Sequence, residues 1–195
     1  SLHFQPQVQL VASGEKSRID RIDAEVLIRW NHPIRGPIGP DKFIPLAEET
    51  GLILPIGNWV LFKTIEQLEK WQGTALEKVI LSINISPKQF ANEQLMDNLI
   101  TMMDKRPSLK HRLKVEITET SLMEDPERSI QRMRHLAKLG LRFALDDFGK
   151  GYSSLNYLTE LPLNTIKLDR AFICNVHQSP TDQAIVRAVV YLAKT

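Results

Sequence analysis

The feature that most limits the fold is a regular alternation of short apolar segments with helix-like segments along almost the whole chain. Six segments are rich in Val, Ile, Leu or Phe and have the length of strands. They are residues 2–10, 24–30, 78–86, 113–119, 142–148 and 164–172. Strands that alternate with helices predict a parallel sheet with crossover connections, and therefore an α/β fold.

The segments between these strands contain helix signals. Asn92 is suited to cap a helix, and Asp125 followed by Pro126 begins another, which Gly140 ends. A last helix begins near Thr181. These signals place helices at the crossovers that a parallel sheet requires.

A closed barrel explains the pattern better than an open doubly wound sheet. No glycine-rich phosphate loop follows the first strand, and polar residues lie near the ends of several different strands instead. An eight-stranded barrel typically needs about 250 residues, so roughly 55 are lacking from this chain of 195. We therefore expect one domain over residues 1–195, a TIM-like (β/α)8 barrel with about six of its eight strands.

Composition excludes several classes of function. The net charge of +2 gives no general field that would attract nucleic acid or an anionic membrane, so an anionic ligand needs a local site. The five histidines lack zinc-type spacing, and the single Cys174 fits a reducing compartment. No apolar run is long enough to cross a bilayer. We expect a cytoplasmic domain, and a membrane anchor elsewhere in a parent protein stays open.

Strand alternation predicts that Glu25, Leu27 and Arg29 share one face of the second strand. Such a face could hold a metal, pack against a base and bind a phosphate. A plain Glu25–Arg29 ion pair explains the same residues equally well.

The next two strands each contribute a polar residue in an apolar setting. Asn84 lies in one strand, as a buried asparagine whose ordinary role would be a structural hydrogen bond. Glu116 lies in the next with Glu119 just beyond it, and an edge-strand charge is the alternative there.

The last two strands add a pair of acids and a lysine. Asp146 and Asp147 end an apolar strand, where adjacent carboxylates repel each other unless a cation compensates. Lys167 and Asp169 share a face of the final strand, and an internal Lys–Asp pair accounts for them about as well. Taken together, oxygen ligands at successive strand ends favour Mg²⁺ or Mn²⁺, and several converging acids favour two such ions.

Ordered sequence blocks along the chain are similar to the EAL family of cyclic di-GMP phosphodiesterases. The blocks are FQP at 4–6, EVLIRWNHP at 25–33, FIPLAEETGLI at 43–53, SINISPKQF at 82–90, EITET at 116–120, DDFGKGYSSL at 146–155 and IKLDR at 166–170. The resemblance implies a barrel whose first strand is antiparallel to the others. It also implies hydrolysis of cyclic di-GMP to linear pGpG with two Mg²⁺ or Mn²⁺ ions.

The resemblance further implies a role for individual residues. It assigns Lys167, Glu119 and Glu25 to catalysis. It assigns the metals to Glu25, Asn84, Glu116, Asp146 and Asp147, and the substrate to Gln5, Leu27, Arg29 and Asp169. Partners implied by the family are cyclic di-GMP, a second copy of the domain through the loop after Asp147, and fused GGDEF or sensor domains, but no nucleic acid polymer.

Three departures from the family pattern bear on these expectations. Val26 replaces the alanine of the family name, and strand alternation points it away from the site. Lys150 lies in the loop that the family uses for dimerisation. The family's later glutamate and glutamine are absent, so we expect a chain that ends at residue 195 to be inactive by itself. Apart from these departures, the polar stretch of residues 12–22 is longer than the family's hairpin, and we expect it to be a surface insertion.

Three functions follow from this sequence. The first is an active phosphodiesterase, and the second is a catalytically silent domain that binds cyclic di-GMP and signals by a change of shape. The third, a protein-interaction scaffold, explains poorly why so many acids face one rim.

Overall fold

The computed structural model describes residues 1–13, 16–123, 125–149 and 158–193. The strands are β1 (Leu2–Ser13), β2 (Lys16–Ile28), β3 (Trp30–His32), β4 (Gly36–Ile38), β5 (Leu81–Asn84), β6 (Leu113–Thr118), β7 (Arg142–Phe148) and β8 (Thr165–Leu168). Six of these form one sheet in the order β1-β2-β5-β6-β7-β8, while β3 and β4 form a separate small hairpin.

Helices alternate with the strands of the sheet along the chain, as the sequence predicts, and two of them follow β8. They are α1 (Pro40–Glu49), α2 (Ile53–Lys70), α3 (Pro87–Ala91), α4 (Glu93–Asp104), α5 (Glu119–Met123), α6 (Pro126–Lys138), α7 (Arg170–Cys174) and α8 (Pro180–Leu192), with a short 3-10 helix at Pro107–Leu109. Within the described residues, no helix has both the length and the apolar character needed to span a membrane.

The sheet confirms the predicted fold class. The first strand, β1, pairs with β2 antiparallel, and every further pairing in the sheet is parallel. The sheet curls into part of a TIM-like barrel with six strands, as expected. Because all the parallel strands run in one direction, their carboxyl ends meet at one rim and their amino ends at the opposite rim.

The predicted helix ends are also confirmed. The Asn92 side chain accepts a hydrogen bond from the Leu95 backbone N–H at 2.9 Å, and the Asp125 side chain accepts one from the Arg128 backbone N–H at 3.2 Å. Gly140 follows α6 with a φ of 90°, a conformation that glycine adopts without steric cost.

The described residues of the stretch 12–22 belong to the paired strands β1 and β2, and Ile19 and Ile22 are exposed there. One feature differs from the sequence expectations. The last strand, β8, ends at Leu168, so it is shorter than predicted and leaves Asp169 outside the strand.

The core lies between the sheet and the helices that cover its outer face. Leu68 of α2, Leu99 of α4 and Met133 of α6 are almost completely buried, and they join Phe143 of β7 in one apolar cluster. Burial of this cluster holds the strands in register, because a one-residue slip would turn each apolar side chain to the other face.

Candidate active site

Three carboxylates from three strands converge on one lysine at the carboxyl rim of the sheet. The Lys167 Nζ lies 3.2 Å from Glu25 Oε2 and 3.0 Å from Asp146 Oδ2, and it also donates a short hydrogen bond to Glu116 Oε2. These four residues lie on β8, β2, β7 and β6. The structure therefore brings together side chains that the sequence predicts for one site.

Burial and charge act in opposite directions on this cluster. Burial alone would lower the pKa of Lys167, but the Glu116 and Asp146 carboxylates raise it above its ordinary value. Burial also raises the pKa of Glu116, whose side chain is 1% exposed, although Lys167 opposes that shift. Among the described residues, one ammonium contacts three acids here, so these acids carry more negative charge than Lys167 neutralises.

The Glu25 carboxylate is also held from its other sides. Asn84 Nδ2 donates to Glu25 Oε1 at 2.8 Å, and Gln7 Nε2 donates to Oε2 at 3.2 Å. The expectation of a buried asparagine is wrong, because Asn84 is exposed at the end of β5. Sequence reasoning missed Gln7. Strand alternation could have indicated it, because Gln7 lies on the same face of β1 as Gln5, and Gln5 is the residue paired with Glu25.

The two adjacent acids lie in a β-bulge. Leu145 pairs with Ile166 and Phe148 pairs with Leu168, so Asp146 and Asp147 together oppose Lys167. The φ of Asp147 is 54°, in the left-handed region. The Asp146 carboxylate accepts a hydrogen bond from the Asp147 backbone N–H at 2.9 Å. The bulge frees this pair from the strict alternation of a regular strand, which would send the two side chains to opposite faces.

Two further predicted residues begin helices at the same rim. Glu119 is the first residue of α5 and is buried. Asp169 caps α7, where its side chain accepts a hydrogen bond from the Ala171 N–H at 2.8 Å. The expected strand face shared by Lys167 and Asp169 is wrong, because β8 ends between them. Within the described part of the chain, the ion-pair partners of Lys167 are Glu25, Glu116 and Asp146, and not Asp169 as the alternative interpretation had it.

A cavity of about 360 Å³ opens beside the carboxylates. Its walls are mainly apolar and include Leu27, Arg29, Asn84 and Glu116. The Arg29 Nη1 donates to the Ile28 carbonyl at 3.0 Å, and no Glu25–Arg29 ion pair occurs among the described residues. Four residues predicted for metal or substrate binding thus line one cavity.

Two other positions named from the sequence are Gln5 and Lys150. Within the part of the chain that the structure describes, the residues that pair with Lys167 or line the cavity do not include Gln5. Gln5 pairs with Glu25 across the β1–β2 ladder and is exposed. Lys150 and most of the loop after Asp147 lie outside the described residues, so the expected dimer contact through that loop stays a prediction.

The donor set fits a hard divalent cation. Among the described residues, no three His, Cys, Asp or Glu side chains form a ready cluster for a metal ion. However, Glu25, Glu116 and Asp146 all contact the single Lys167 ammonium, and Asn84 contacts Glu25. Carboxylate and amide oxygens with excess negative charge are the surroundings that Mg²⁺ and Mn²⁺ prefer.

A curled sheet, parallel except for its first strand and with acids at the carboxyl rim, defines a TIM-barrel-like protein of the kind that assembles its site from several strand ends. The sequence model of the EAL domain matches residues 1–195, and this chain belongs to that family.

Relatives of this chain include named cyclic di-GMP enzymes. The bifunctional diguanylate cyclase/cyclic di-GMP phosphodiesterase MucR of Pseudomonas aeruginosa is 39% identical over 194 residues, which are 100% of this chain and 27% of MucR. The cyclic di-GMP phosphodiesterase PdeR of Escherichia coli is 36% identical over 193 residues, which are 99% of this chain and 28% of PdeR. The chain thus spans about a quarter of the length of these curated relatives.

A solved structure extends the similarity to three dimensions. The MucR phosphodiesterase of Pseudomonas aeruginosa, in complex with c-di-GMP, superposes with a TM-score of 0.88 at 38% identity. The match covers 100% of this chain and 76% of that one. The fold of this chain is therefore that of an EAL domain.

Proposed function

We propose that residues 1–195 belong to one phosphodiesterase domain, and that the full-length protein, called the intact protein below, hydrolyses cyclic di-GMP to linear pGpG with two Mg²⁺ or Mn²⁺ ions. The observation that supports this most directly is the convergence of Glu25, Glu116 and Asp146 on Lys167 beside one cavity. Three acids with one ammonium leave negative charge that divalent cations would neutralise. Family membership and the activities named for MucR and PdeR agree with this reaction.

The residues that would hold the ions are Glu25, Asn84, Glu116, Asp146 and Asp147. When bound, the ions would lower the pKa of the attacking water and neutralise charge on the phosphoryl oxygens. Lys167 would place a positive charge beside the reacting phosphate, because the acids around it keep it protonated. The attacking water would give up one proton as its oxygen bonds to phosphorus. One P–O bond of the ring would then break, and the leaving oxygen would take up a proton.

Substrate would bind in the adjoining cavity. Its apolar walls suit the flat face of a base, and Arg29 supplies a cation for a phosphate. Leu27 lines the same space, while Gln5 and Asp169 lie at the rim. Glu119, at the start of α5, would support the loop that follows Asp147.

The test is hydrolysis of cyclic di-GMP by the intact protein with Mg²⁺ or Mn²⁺, followed by chromatography of pGpG. We expect Glu25→Gln to lower kcat by at least about 100-fold, since it removes one charge from the site while keeping the shape of the side chain. Glu93→Gln is the matched control, because Glu93 is exposed and lies on α4.

A separate binding measurement decides between the two cyclic di-GMP functions. Tight binding by the intact protein without turnover in either metal would refute the enzyme and favour a receptor. Turnover that Glu25→Gln leaves intact would refute the proposed site.

A further inference from the structure

A second polar cavity lies at the amino rim of the sheet, opposite the candidate active site. Its volume is about 280 Å³. Lys78 precedes β5, Arg112 precedes β6, and Arg142 is the first residue of β7, so strand direction puts all three at the amino ends. The charged side chains that line this cavity are Arg21, Lys78, Arg112, Arg142 and Glu77, with His111 beside them.

The guanidinium groups in this cavity have hydrogen-bonding capacity that the described residues do not use. Arg112 Nη1 donates to the Leu68 carbonyl at 3.3 Å. Arg112 Nε and Nη2 and Arg142 Nε are buried and have no hydrogen-bond partner in the described part of the chain. A buried N–H without an acceptor is costly, and the cost is higher when the group is charged.

Charge in the cavity is also unbalanced. Arg21 pairs with Asp23 at 2.8 Å, but no ion pair of Lys78, Arg112 or Arg142 occurs within the described residues. Of the residues that the structure describes, Glu77 is the one that brings a carboxylate to the cavity lining. Burial lowers the pKa of Arg112, and Glu77 opposes this only in part.

We propose that this cavity, which we call the amino-rim pocket, binds a phosphate group between Arg112 and Arg142. Arg112 and Arg142 line this small space together with Arg21 and Lys78. Guanidinium groups gathered around one space match the several oxygens of a phosphate, which can accept two parallel hydrogen bonds from an arginine. The cavity is smaller than the usual pocket of a drug-sized ligand, so free phosphate or a small phosphate monoester suits it best. This site is separate from the one proposed for cyclic di-GMP, since it lies at the other end of the same strands.

The test is calorimetric titration of the intact protein with inorganic phosphate and, in parallel, with ribose 5-phosphate. The buffer contains EDTA, so that phosphate bound to a metal ion at the carboxyl rim does not contribute. The ionic strength is held constant throughout the titration. We expect saturable binding, and at least about tenfold weaker binding in Arg112→Gln and in Arg142→Gln. Binding of either anion supports the proposal, and the tighter one shows whether the pocket takes phosphate or its ester.

Two control variants make the result specific. Arg106→Gln removes an arginine that pairs with Glu69 outside the pocket, and it should bind phosphate normally. Lys167→Gln removes the cation of the opposite rim and should also bind normally. Melting temperatures establish that each variant is folded, and Arg142→Gln decides the question if Arg112→Gln does not fold. The proposal is overturned if the unaltered protein does not bind phosphate, if Arg106→Gln weakens binding equally, or if only Lys167→Gln weakens it.

Discussion

The Lys167 ammonium lies 3.2 Å from the Glu25 carboxylate, although the two residues are 142 positions apart in the chain. They lie on β8 and β2, with β5, β6 and β7 between them in the sheet. Neighbouring strands are about 4.8 Å apart, so four spacings in a flat sheet would separate the two backbones by about 19 Å. The contact therefore depends on the curl of the sheet, which creates the site by bringing distant strand ends around one space.

Replacement of Lys167 by methionine should make the stability of the protein depend on a divalent cation. Without the ammonium, Glu25, Glu116 and Asp146 repel one another, and we expect a loss of about 3 kcal/mol in the free energy of unfolding. Added Mn²⁺ should restore much of this loss, because an ion that binds only the folded state stabilises it.

The measurement is thermal unfolding of the intact protein with and without Mn²⁺. The rise in Tm on adding the ion should be larger in Lys167→Met than in the unaltered protein. Lys63→Met is the control, since Lys63 forms a surface pair with Glu66 on α2. An equal response to Mn²⁺ in all three proteins would argue against a cation site at these carboxylates.

Much of the fold and part of the site could be predicted from the sequence. Alternating strands and helices gave the class of fold, and parallel strands put Glu116 and Asp146 at one rim. Alternation could place Gln7 on the same strand face as Gln5, but its contact with Glu25 also depends on the register between β1 and β2, which the sequence does not specify. The bulge at Asp147 and the cap formed by Asp169 depend on where pairing between β7 and β8 shifts or stops.

The left-handed backbone of Asp147 predicts an unusual order of stability between two variants. Alanine is strained at a φ of 54°, whereas glycine adopts it freely, and both variants lose the carboxylate. We expect Asp147→Ala to be less stable than Asp147→Gly by about 1 kcal/mol in urea unfolding. The alanine and glycine substitutions of Asp41, in the first turn of α1, should show the reverse order, because alanine has a higher helix propensity than glycine. If alanine were the more stable substitution at both positions, the left-handed backbone assigned to Asp147 would be wrong.

Gly140 lies close to Lys110, in the loop that precedes β6, and a larger residue would clash with Lys110 there. A Cβ at this position would lie 2.9 Å from the Lys110 Cβ and 3.3 Å from its Cα, and the φ of 90° adds strain. We expect Gly140→Ala to lower the free energy of unfolding by about 2–4 kcal/mol. Gly73→Ala is the matched control, because Gly73 also has a positive φ, of 74°, but no atom lies within 4 Å of the new Cβ. This substitution should lower the free energy of unfolding by only about 1 kcal/mol. Equal losses would show that the contact with Lys110 is unimportant.

Lys114 is a buried cation whose removal should stabilise the protein. Its residue is 5% exposed, and its Nζ lies 3.9 Å from Asp23 Oδ2, beyond hydrogen-bond distance. Asp23 already pairs with Arg21 at 2.8 Å and accepts a hydrogen bond from the Ile80 N–H at 3.4 Å, so it does not depend on Lys114. We expect Lys114→Met to raise the free energy of unfolding by about 1–2 kcal/mol at pH 7.

The advantage of Lys114→Met should shrink as the pH rises. Burial lowers the pKa of Lys114 in the folded protein, and Asp23 and Glu116 oppose the shift only in part. Between the lowered pKa and the ordinary value of 10.5, the unfolded chain binds more protons than the folded one, so the stability of the unaltered protein rises with pH. Urea unfolding of both proteins at pH 7 and pH 10 measures the difference. A gap that stays constant or widens would mean that the charge on Lys114 is not the source of the cost.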